Sequence, residues 1–288
     1  MMPVTINIDL CKSDELCVRD CPLGVLKIVE KGQAPIVNPK KAGFCINCGH
    51  CVAICPTNAI TLNAFADQNA TPYPSEKIAD PESIETFFKS RRSIRKFKKK
   101  PLSVDEIAEL IHLAAYAPSG HNTQPVSWTV LDQPEKVQEL AALVADCMNE
   151  LAAQKHPIAK KLFLSGIARA FTHGHDMICR DAPALAVSWA PNEGITPDTD
   201  SIISTAHLEL AAHSKGFGAC WAGYVVMAAK FSEPVRTFLD VPEHHTLHGA
   251  LLLGHPSIKY KNIPPRHKAA GEKSNAGFVF PARKNEHN

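Results

Sequence analysis

A cysteine repeat occupies the first sixty residues, and it limits the possible folds more than any other feature of the chain. Seven of the ten cysteines lie between Cys11 and Cys55. They form two runs with a constant offset of 34 residues, the separation of Cys11 from Cys45. Because disulfide scaffolds belong to secreted chains, this clustering indicates metal binding. The matched positions are Cys11 with Cys45, Cys17 with Cys51 and Cys21-Pro22 with Cys55-Pro56, whereas Cys48 is matched by Asp14.

The spacing of the second run identifies the kind of metal site. It reads Cys45-x2-Cys48-x2-Cys51-x3-Cys55-Pro56, the run that holds iron–sulfur clusters in bacterial ferredoxins. Three thiolates of such a run bind one cluster, and the fourth cysteine binds the other cluster. Structural zinc instead uses separated Cys-x2–4-Cys pairs, which this tandem pattern does not fit. The segment therefore resembles a two-cluster ferredoxin. The predicted ligands are Cys21, Cys45, Cys48 and Cys51 for one cluster, and Cys11, Asp14, Cys17 and Cys55 for the other.

Because Asp14 replaces a cysteine, the sequence does not decide the type of the second cluster. A carboxylate is a harder ligand than thiolate and a weaker match for iron–sulfur chemistry. Two forms are consistent with the sequence: a [4Fe–4S] cluster ligated by Asp14, or a [3Fe–4S] cluster that lacks the fourth iron. A third interpretation makes Asp14 a surface residue without a metal contact. The first site, with four cysteines, is predicted to hold a [4Fe–4S] cluster.

Length and composition set the domain organisation and exclude some partners. The 288 residues can form one small and one large domain. We predict a ferredoxin-like domain at 1–62, a polar, proline-containing linker at 63–82 and a larger domain at 83–288. The net charge of +2 and the ordinary hydrophobic content give no reason to expect nucleic acid or a membrane. The chain begins without a signal-like apolar stretch, so a cytoplasmic location is predicted.

Periodicity in the larger domain predicts an α+β fold. A helix is expected over Glu82–Lys89, and another follows a capping box of Ser103 and Glu106. A third helix is expected over Ser201–Lys215 and ends at Gly216. Helices and strands alternate irregularly, and no Gly-x-Gly-x-x-Gly or P-loop occurs, which excludes the usual nucleotide-binding patterns. The predicted strands are Val126–Leu131, Ala182–Ala190, His248–Gly254 and one beginning at Gly218.

Three separated motifs carry a family resemblance. They are Arg91-Arg92-Ser93-Ile94-Arg95, Ala117-Pro118-Ser119-Gly120-x-Asn122-x-Gln124-Pro125 and Gly218-x-Cys220-Trp221-x-Gly223. In this order they resemble the FMN-binding elements of the nitroreductase family. Leu253-Gly254-His255-Pro256 with Pro265-Arg266 resembles the family's C-terminal signature. Joined to the ferredoxin-like segment, the whole chain resembles the ferredoxin-fused nitroreductases of anaerobes.

The resemblance implies an intertwined homodimer with FMN at the interface, and it implies roles by position. Arginine and serine side chains would hold the FMN phosphate by charge-assisted hydrogen bonds. One asparagine would bind the isoalloxazine edge, and a glycine-containing turn would bring main-chain amides close to the reactive side of the flavin. Arg92 belongs to the basic run but could equally face solvent. The candidate residues are Arg91, Arg92, Ser93 and Arg95 with Arg266 for the phosphate, Asn122 for the ring edge, Ser119 and Gln124 for other cofactor contacts, and Ala222 and Gly223 for the turn.

The two halves together predict an oxidoreductase. Electrons from a ferredoxin-type carrier or NAD(P)H would pass through the clusters to FMN, which would reduce a small acceptor such as a nitroaromatic or a quinone. One alternative is a redox sensor or electron carrier that binds FMN without a dedicated substrate. Another is reductive dehalogenation or flavin modification on the same fold.

The remaining histidines and cysteines lie outside these motifs. His121 is the best candidate for a group near the flavin, because it precedes Asn122. A metal or proton-transfer role at His173-Gly174-His175-Asp176 or at His244-His245 has no motif to support it. The scattered cysteines are expected to be reduced, buried thiols, namely Cys147, Cys179 and Cys220.

Overall fold

The N-terminal segment folds as two matching halves. The computed structural model describes residues 2–68, 70–266 and 271–280, so the ends of both outer predicted domains, Met1 and 281–288, lie outside the described residues. Strand β1 (Val4–Ile6) pairs antiparallel with β4 (Ile60–Leu62), and β2 (Leu26–Lys27) pairs with β3 (Ile36–Val37). Helices α1 (Leu16–Asp20) and α2 (His50–Ala53) begin 34 residues apart, as the sequence repeat predicts. The pairing of β1 with β4 closes a small core that includes Val4, Cys17, Leu26 and Ile60.

The connection to the larger domain is largely exposed. It contains two single turns of 3-10 helix, Asn63–Phe65 and Ser75–Lys77. Helix α3 (Pro81–Ser90) then begins at Asp80, whose carboxylate accepts hydrogen bonds from the main-chain N–H groups of Glu82 and Ser83. This helix confirms the expectation for Glu82–Lys89. The domain boundaries at residues 62 and 82 stay predictions.

A four-stranded antiparallel sheet forms the centre of the larger domain. Its order is β5 (Ser127–Leu131), β6 (Ala184–Pro191), β8 (His245–Gly254) and β7 (Gly218–Trp221), so β5 and β7 are the two edges. Both faces are buried: Leu185 and Leu252 point into one core, and Ala186 and Leu251 into the other. Burial on both faces explains why β6 and β8 read as continuous apolar runs rather than alternating ones.

Helices cover the two faces of this sheet unequally. One face packs against α5 (Pro134–Ala153), α7 (Leu164–Thr172), α9 (Gly223–Ala228) and α10 (Glu233–Phe238), with the short α6 (Pro157–Lys161) beside them. The other face packs against α4 (Val104–Ala114) and α8 (Pro197–Ser214). The capping box of Ser103 and Glu106 is present at the start of α4, as predicted. A hairpin of β9 (Glu272–Ser274) and β10 (Gly277–Val279) follows near the C-terminus.

Helix α8 carries polar residues into the interior, and this positions the site. It begins at Pro197, four residues before the predicted start, and it ends before Gly216, which has the positive φ of 77° expected there. Five of its polar residues are buried. They are Asp200, Ser201, Ser204, Thr205 and Glu209. Among the described residues, no helix has both the length and the apolarity needed to cross a membrane.

Candidate functional site

The four cysteines predicted for the first cluster line one cavity. Cys21 comes from the end of α1, Cys45 and Cys48 from the loop before α2, and Cys51 from α2 itself. Burial, and after it the neighbouring Cys45 and Cys48, raise the pKa of the Cys51 thiol to about 11. A metal centre supplies the positive charge that stabilises grouped, desolvated thiols of this kind as thiolates. The donor set therefore fits an iron–sulfur cluster.

The second predicted set is also assembled in one place. Burial raises the pKa of Cys17, followed by the effect of Cys11 and by smaller effects of Cys55 and Asp14. These four residues are therefore electrostatic neighbours. The carboxylate of Asp14 accepts a 3.1 Å hydrogen bond from the N–H of Leu16 at the start of α1. Within the described residues, no three His, Cys, Asp or Glu side chains are close enough to hold a single metal ion.

The basic run, Arg91–Arg95, includes an extended segment whose side chains point to two opposite sides. It lies beside the edge strand β7 through a parallel bridge of Ser93 with Ala219, and the N–H of Ile94 donates to Ala219 O at 2.8 Å. In extended backbone, alternate residues point to opposite sides. Arg92 and Ile94 line one cavity of about 550 Å³ together with His213. Ser93 and Arg95 line a different cavity.

That second cavity brings two of the three motifs together. Its volume is about 470 Å³, within the roughly 300–1,000 Å³ typical of ligand pockets. Ser93 and Arg95 meet Trp221 and Gly223 there, and a further cation, Arg180, lies on the same wall. A Cβ added at Gly223 would contact nothing within 4 Å, so the space beside this turn is open. The cavity fits the phosphate and reactive-edge contacts predicted for FMN.

The predicted turn residues, Ala222 and Gly223, differ in whether their main-chain N–H groups already have a hydrogen-bond partner. The N–H of Ala222 donates to Ala250 O at 2.9 Å, which anchors the turn to β8. Gly223 is the first residue of α9, where a main-chain N–H has no partner inside the helix. Gly223 is thus better placed than Ala222 to offer an amide to a ligand.

Glu209, which the sequence did not single out, connects two of the motifs. Its residue is only 8% exposed, and its carboxylate accepts from Arg91 Nη1 at 2.8 Å and from Trp221 Nε1 at 3.0 Å. Arg91 therefore lies on the Arg92 side of the run and is paired with this buried carboxylate. A carboxylate at position 209, between Leu208 and Leu210, was the available signal in the sequence.

The motif of Ala117–Pro125 lies at the other edge of the sheet. Its loop leads into β5, and the N–H of Gly120 donates to Asp200 Oδ1 at 3.0 Å, near the start of α8. Asp200 and Glu209 are nine positions apart on α8, about 13.5 Å at 1.5 Å per residue. Strands β5 and β7 are three strand spacings apart, roughly 14 Å. Ser119 and Gln124 line a separate cavity with Asp200.

The loop of the Ala117–Pro125 motif has an unusual backbone and contacts the ferredoxin-like segment. His121, Asn122 and Gln124 have φ angles of 50°, 56° and 47°, a left-handed conformation that asparagine and histidine adopt more readily than glutamine. The Asn122 side chain donates from Nδ2 to Ile46 O and Asn47 O, each at 3.1 Å. Its contact with the flavin stays a prediction. His121 is exposed on this loop.

The remaining candidates lie apart from these cavities. Arg266 is exposed, and its phosphate contact stays a prediction. The Asp176 carboxylate accepts from the main-chain N–H groups of Ile178 and Cys179, a structural role in the turn after α7. His245 packs against Trp189. The three scattered cysteines are buried free thiols, as expected, and burial raises the pKa of each.

The geometry defines a class of protein, and comparisons then give the family. A domain with two grouped sets of cysteine-type ligands, joined to an α+β domain whose cavity is lined by arginines, a serine and a glycine turn, has the organisation expected of an iron–sulfur flavoprotein. The nitroreductase family profile matches residues 88–255, more than half of the chain, and a 4Fe-4S dicluster domain profile matches residues 9–60. The chain belongs to the nitroreductase family and is an FMN-dependent oxidoreductase.

Two known proteins and one solved structure illustrate what the chain is similar to. The chain is 23% identical to iodotyrosine deiodinase of Nematostella vectensis over 219 residues, 69% of this chain and 80% of that protein. It is 24% identical to an NADPH-dependent oxidoreductase of Staphylococcus saprophyticus over 191 residues, 64% and 68% of the two chains. The crystal structure of a nitroreductase with bound FMN from Bacteroides fragilis has the same fold, with a TM-score of 0.52 and 23% identity, covering 67% of this chain and all of the other.

Proposed function

We propose that the protein reduces a small organic acceptor, such as a nitroaromatic or a quinone, at an FMN site that receives electrons through its own iron–sulfur domain. The observation that carries this proposal is the cavity shared by Ser93, Arg95, Trp221 and Gly223. It joins two cations and a hydroxyl, suited to a phosphate, to a glycine turn with open space beside it. FMN, when bound, exchanges electrons both singly and in pairs.

Each protein group has a task in this proposal. Arg95 and Ser93 hold the phosphate by charge-assisted hydrogen bonds, and Arg180 adds positive charge on the same wall. The main-chain N–H of Gly223 donates to the reactive edge of the ring, which the absence of a side chain allows to come close. Glu209, which does not line this cavity, fixes the positions of Arg91 and Trp221 by accepting hydrogen bonds from both.

We further propose that a second copy of the chain completes the flavin site. The contacts expected for one ring system are divided between Gly223 at the β7 edge and Asn122 at the β5 edge. Those edges are roughly 14 Å apart in one chain. Two chains in a symmetric pair would bring the Ser119–Gln124 loop of one to the cavity of the other.

The electron donor that fits is a low-potential carrier of the ferredoxin type, with NAD(P)H as the other candidate. The cysteine sets suit one-electron transfer, because each holds a separate iron–sulfur centre. We propose a [4Fe–4S] cluster at the set with Cys48, and a [4Fe–4S] or [3Fe–4S] cluster at the set with Asp14.

The first experiment quantifies iron, sulfide and flavin in the anaerobically purified protein and then follows turnover. We expect seven to eight irons and about one FMN per chain, and reduction of a nitroaromatic and a quinone with a reduced ferredoxin as donor. A redox sensor would carry the same cofactors but turn over neither acceptor. Protein without flavin would overturn the proposal.

A matched pair of arginine variants locates the flavin phosphate. Arg95 and Arg92 are neighbours in the basic run but line different cavities. Arg95→Ala removes a charged hydrogen bond worth about 1.5–3 kcal/mol, so FMN affinity falls roughly 10- to 150-fold. Arg92→Ala changes FMN affinity by less than about threefold. Equal losses in the two variants would place the phosphate elsewhere.

A further inference from the structure

Asn122 connects the flavin-type loop to the ferredoxin-like domain at one defined point. Its amide nitrogen has two hydrogens, and each is given to a main-chain carbonyl of consecutive residues, Ile46 O and Asn47 O, at 3.1 Å. Gln124 Nε2 donates to the Asn122 Oδ1 at 3.2 Å, which fixes the orientation of the amide. Both amide hydrogens of this side chain are thereby donated to the ferredoxin-like domain, and its oxygen accepts a hydrogen bond within its own loop.

The contacted loop belongs to one predicted cluster and not to the other. Ile46 and Asn47 lie between Cys45 and Cys48, two of the four thiols that line the first cluster cavity. The set of Cys11, Asp14, Cys17 and Cys55 is grouped around Cys17 instead. The cluster held by Cys45 and Cys48 is therefore the one nearer to the Ser119–Gln124 loop.

The same loop is far from the phosphate-type residues of its own chain. It lies at the β5 edge, whereas Ser93, Arg95 and Gly223 lie at the β7 edge, roughly 14 Å across the sheet. If the proposed flavin site takes its loop from a second copy, the ferredoxin-like domain attached to that loop also comes from the second copy.

We propose that the ferredoxin-like domain of each chain serves the flavin site whose Ser93, Arg95 and Gly223 belong to the other chain, and that Asn122 docks it there through the Cys45–Cys48 loop. This rests on the proposed function, which requires the two-chain flavin site. Each transfer oxidises the centre held by Cys45 and Cys48 by one electron and reduces the flavin by one, so two transfers, with protons from solvent, complete a flavin reduction. The low-potential donor then re-reduces the clusters.

Hybrid dimers test the crossed arrangement. The first hybrid combines a Cys45→Ala/Cys48→Ala chain with an Arg95→Glu chain, and differently tagged chains allow its isolation. The second combines an unmodified chain with a chain carrying all three substitutions. Each hybrid should keep about one flavin site per dimer, the one built on the unmodified Arg95. The readouts are flavin content and anaerobic single-turnover bleaching of the bound flavin by reduced ferredoxin.

The two hybrids give opposite results in the two arrangements. In the crossed arrangement the intact flavin site of the first hybrid meets an intact ferredoxin-like domain and bleaches at the unmodified rate. The second hybrid then bleaches at least about tenfold more slowly. The reverse result, equal rates, or no bleaching in either hybrid overturns the proposal. Failure of the proposed flavin site is recognised separately, because the unmodified protein would then bind no FMN or the Arg95→Glu homodimer would retain it.

A variant of Asn122, followed by hydrogen exchange at the contacted loop, tests the docking contact separately from the flavin contact proposed for this residue. Asn122→Asp keeps the size and the tolerance of a left-handed φ, but its carboxylate faces two carbonyl oxygens and cannot donate to them. We expect faster hydrogen exchange at the main-chain amides of residues 45–49 and slower flavin bleaching, with iron content unchanged. Thr123→Ala, in the same loop, is the control and should change neither readout. Unchanged exchange and bleaching in Asn122→Asp would show that this contact does not hold the domains together.

Discussion

Arg91 Nη1 donates a 2.8 Å hydrogen bond to Glu209 Oε1, and this pair joins the basic run to helix α8. The other oxygen of the same carboxylate accepts from Trp221 Nε1 at 3.0 Å. One buried acidic residue thereby fixes the relative positions of the run that precedes Ser93 and Arg95 and of the strand that leads to Gly223. The cavity lined by Ser93, Arg95 and Gly223 thus depends for its shape on a charged residue that does not line it.

Removing this carboxylate should lower stability and weaken FMN binding together. Glu209→Ala leaves a partly buried guanidinium and an indole N–H unpaired, so we expect the free energy of unfolding to fall by about 1–3 kcal/mol. Urea unfolding measures the loss, and flavin content and Trp221 fluorescence report on the cavity. Glu109→Ala removes an exposed pair with Lys215 and should stay within about 0.5 kcal/mol. Similar losses in both variants would show that Glu209 acts as a surface charge.

Two glycines of the third flavin-type motif should respond oppositely to an added methyl group. A Cβ at Gly218 would lie 2.8 Å from Ile94 Cγ2 and 2.9 Å from Ile94 Cβ, so Gly218→Ala should destabilise the fold by about 1–3 kcal/mol. A Cβ at Gly223 would meet open space, so Gly223→Ala should leave the melting temperature nearly unchanged. Its methyl group would enter the cavity, and FMN affinity should fall about tenfold or more. If Gly223→Ala binds FMN normally, the ring does not approach this turn.

The elements that the sequence predicted are those with strong local signals. The capping box at Ser103, the helix end at Gly216 and the buried strand before Gly254 all depend on residues close together in the chain. Helix α8 began earlier than predicted, because Pro197 is a favoured first helical residue but lies before the apolar stripe. Helix α5, the longest, was not predicted from the apolar pattern.

The candidate site was predictable as a set of residues but not as an arrangement. The spacing of the cysteines predicted which thiols lie together, because three members of each predicted set belong to one short run. The pairing of Arg91 with Glu209 spans 118 residues, and the contact of Asn122 with Asn47 spans 75. Contacts at such separations depend on how the strands are ordered in the sheet, which no local pattern specifies.

The iron content at the second cluster should respond to the residue at position 14. Asp14→Cys supplies a fourth thiolate, a softer ligand for iron than carboxylate, so the protein should retain about eight irons per chain after exposure to air. Asp14→Ala should retain about seven and show the EPR signal of a [3Fe–4S] cluster. The matched control is Asp9→Cys, which adds an exposed thiol outside the ligand run and should leave the iron count at the unmodified value. An unaltered count and EPR spectrum in both Asp14 variants would make this residue a surface residue.

Stability at mildly acidic pH should depend on His213, which lines the same cavity as Arg91 and Arg92. Its Nε2 is 3.0 Å from Ser90 Oγ, and its ring is 4.9 Å from that of Phe87. Burial lowers the pKa of His213 below the ordinary 6.5, the hydrogen bond with the Phe87 main chain opposes this, and the charge of Arg91 lowers it further. The folded state therefore binds a proton less readily than the unfolded state. The contribution of neutral His213 to the free energy of unfolding is fully present above about pH 6.5. It is lost as the pH falls through the folded-state pKa.

The measurement is the melting temperature from about pH 7.5 to about pH 5.5. In His213→Gln the decrease over this range should be smaller than in the unmodified protein, because the amide has no proton to gain. Burial also lowers the pKa of His248, on strand β8, so the double variant with His248→Gln should show a smaller decrease still. A decrease in His213→Gln as large as that of the unmodified protein would mean that the acid sensitivity comes from other groups.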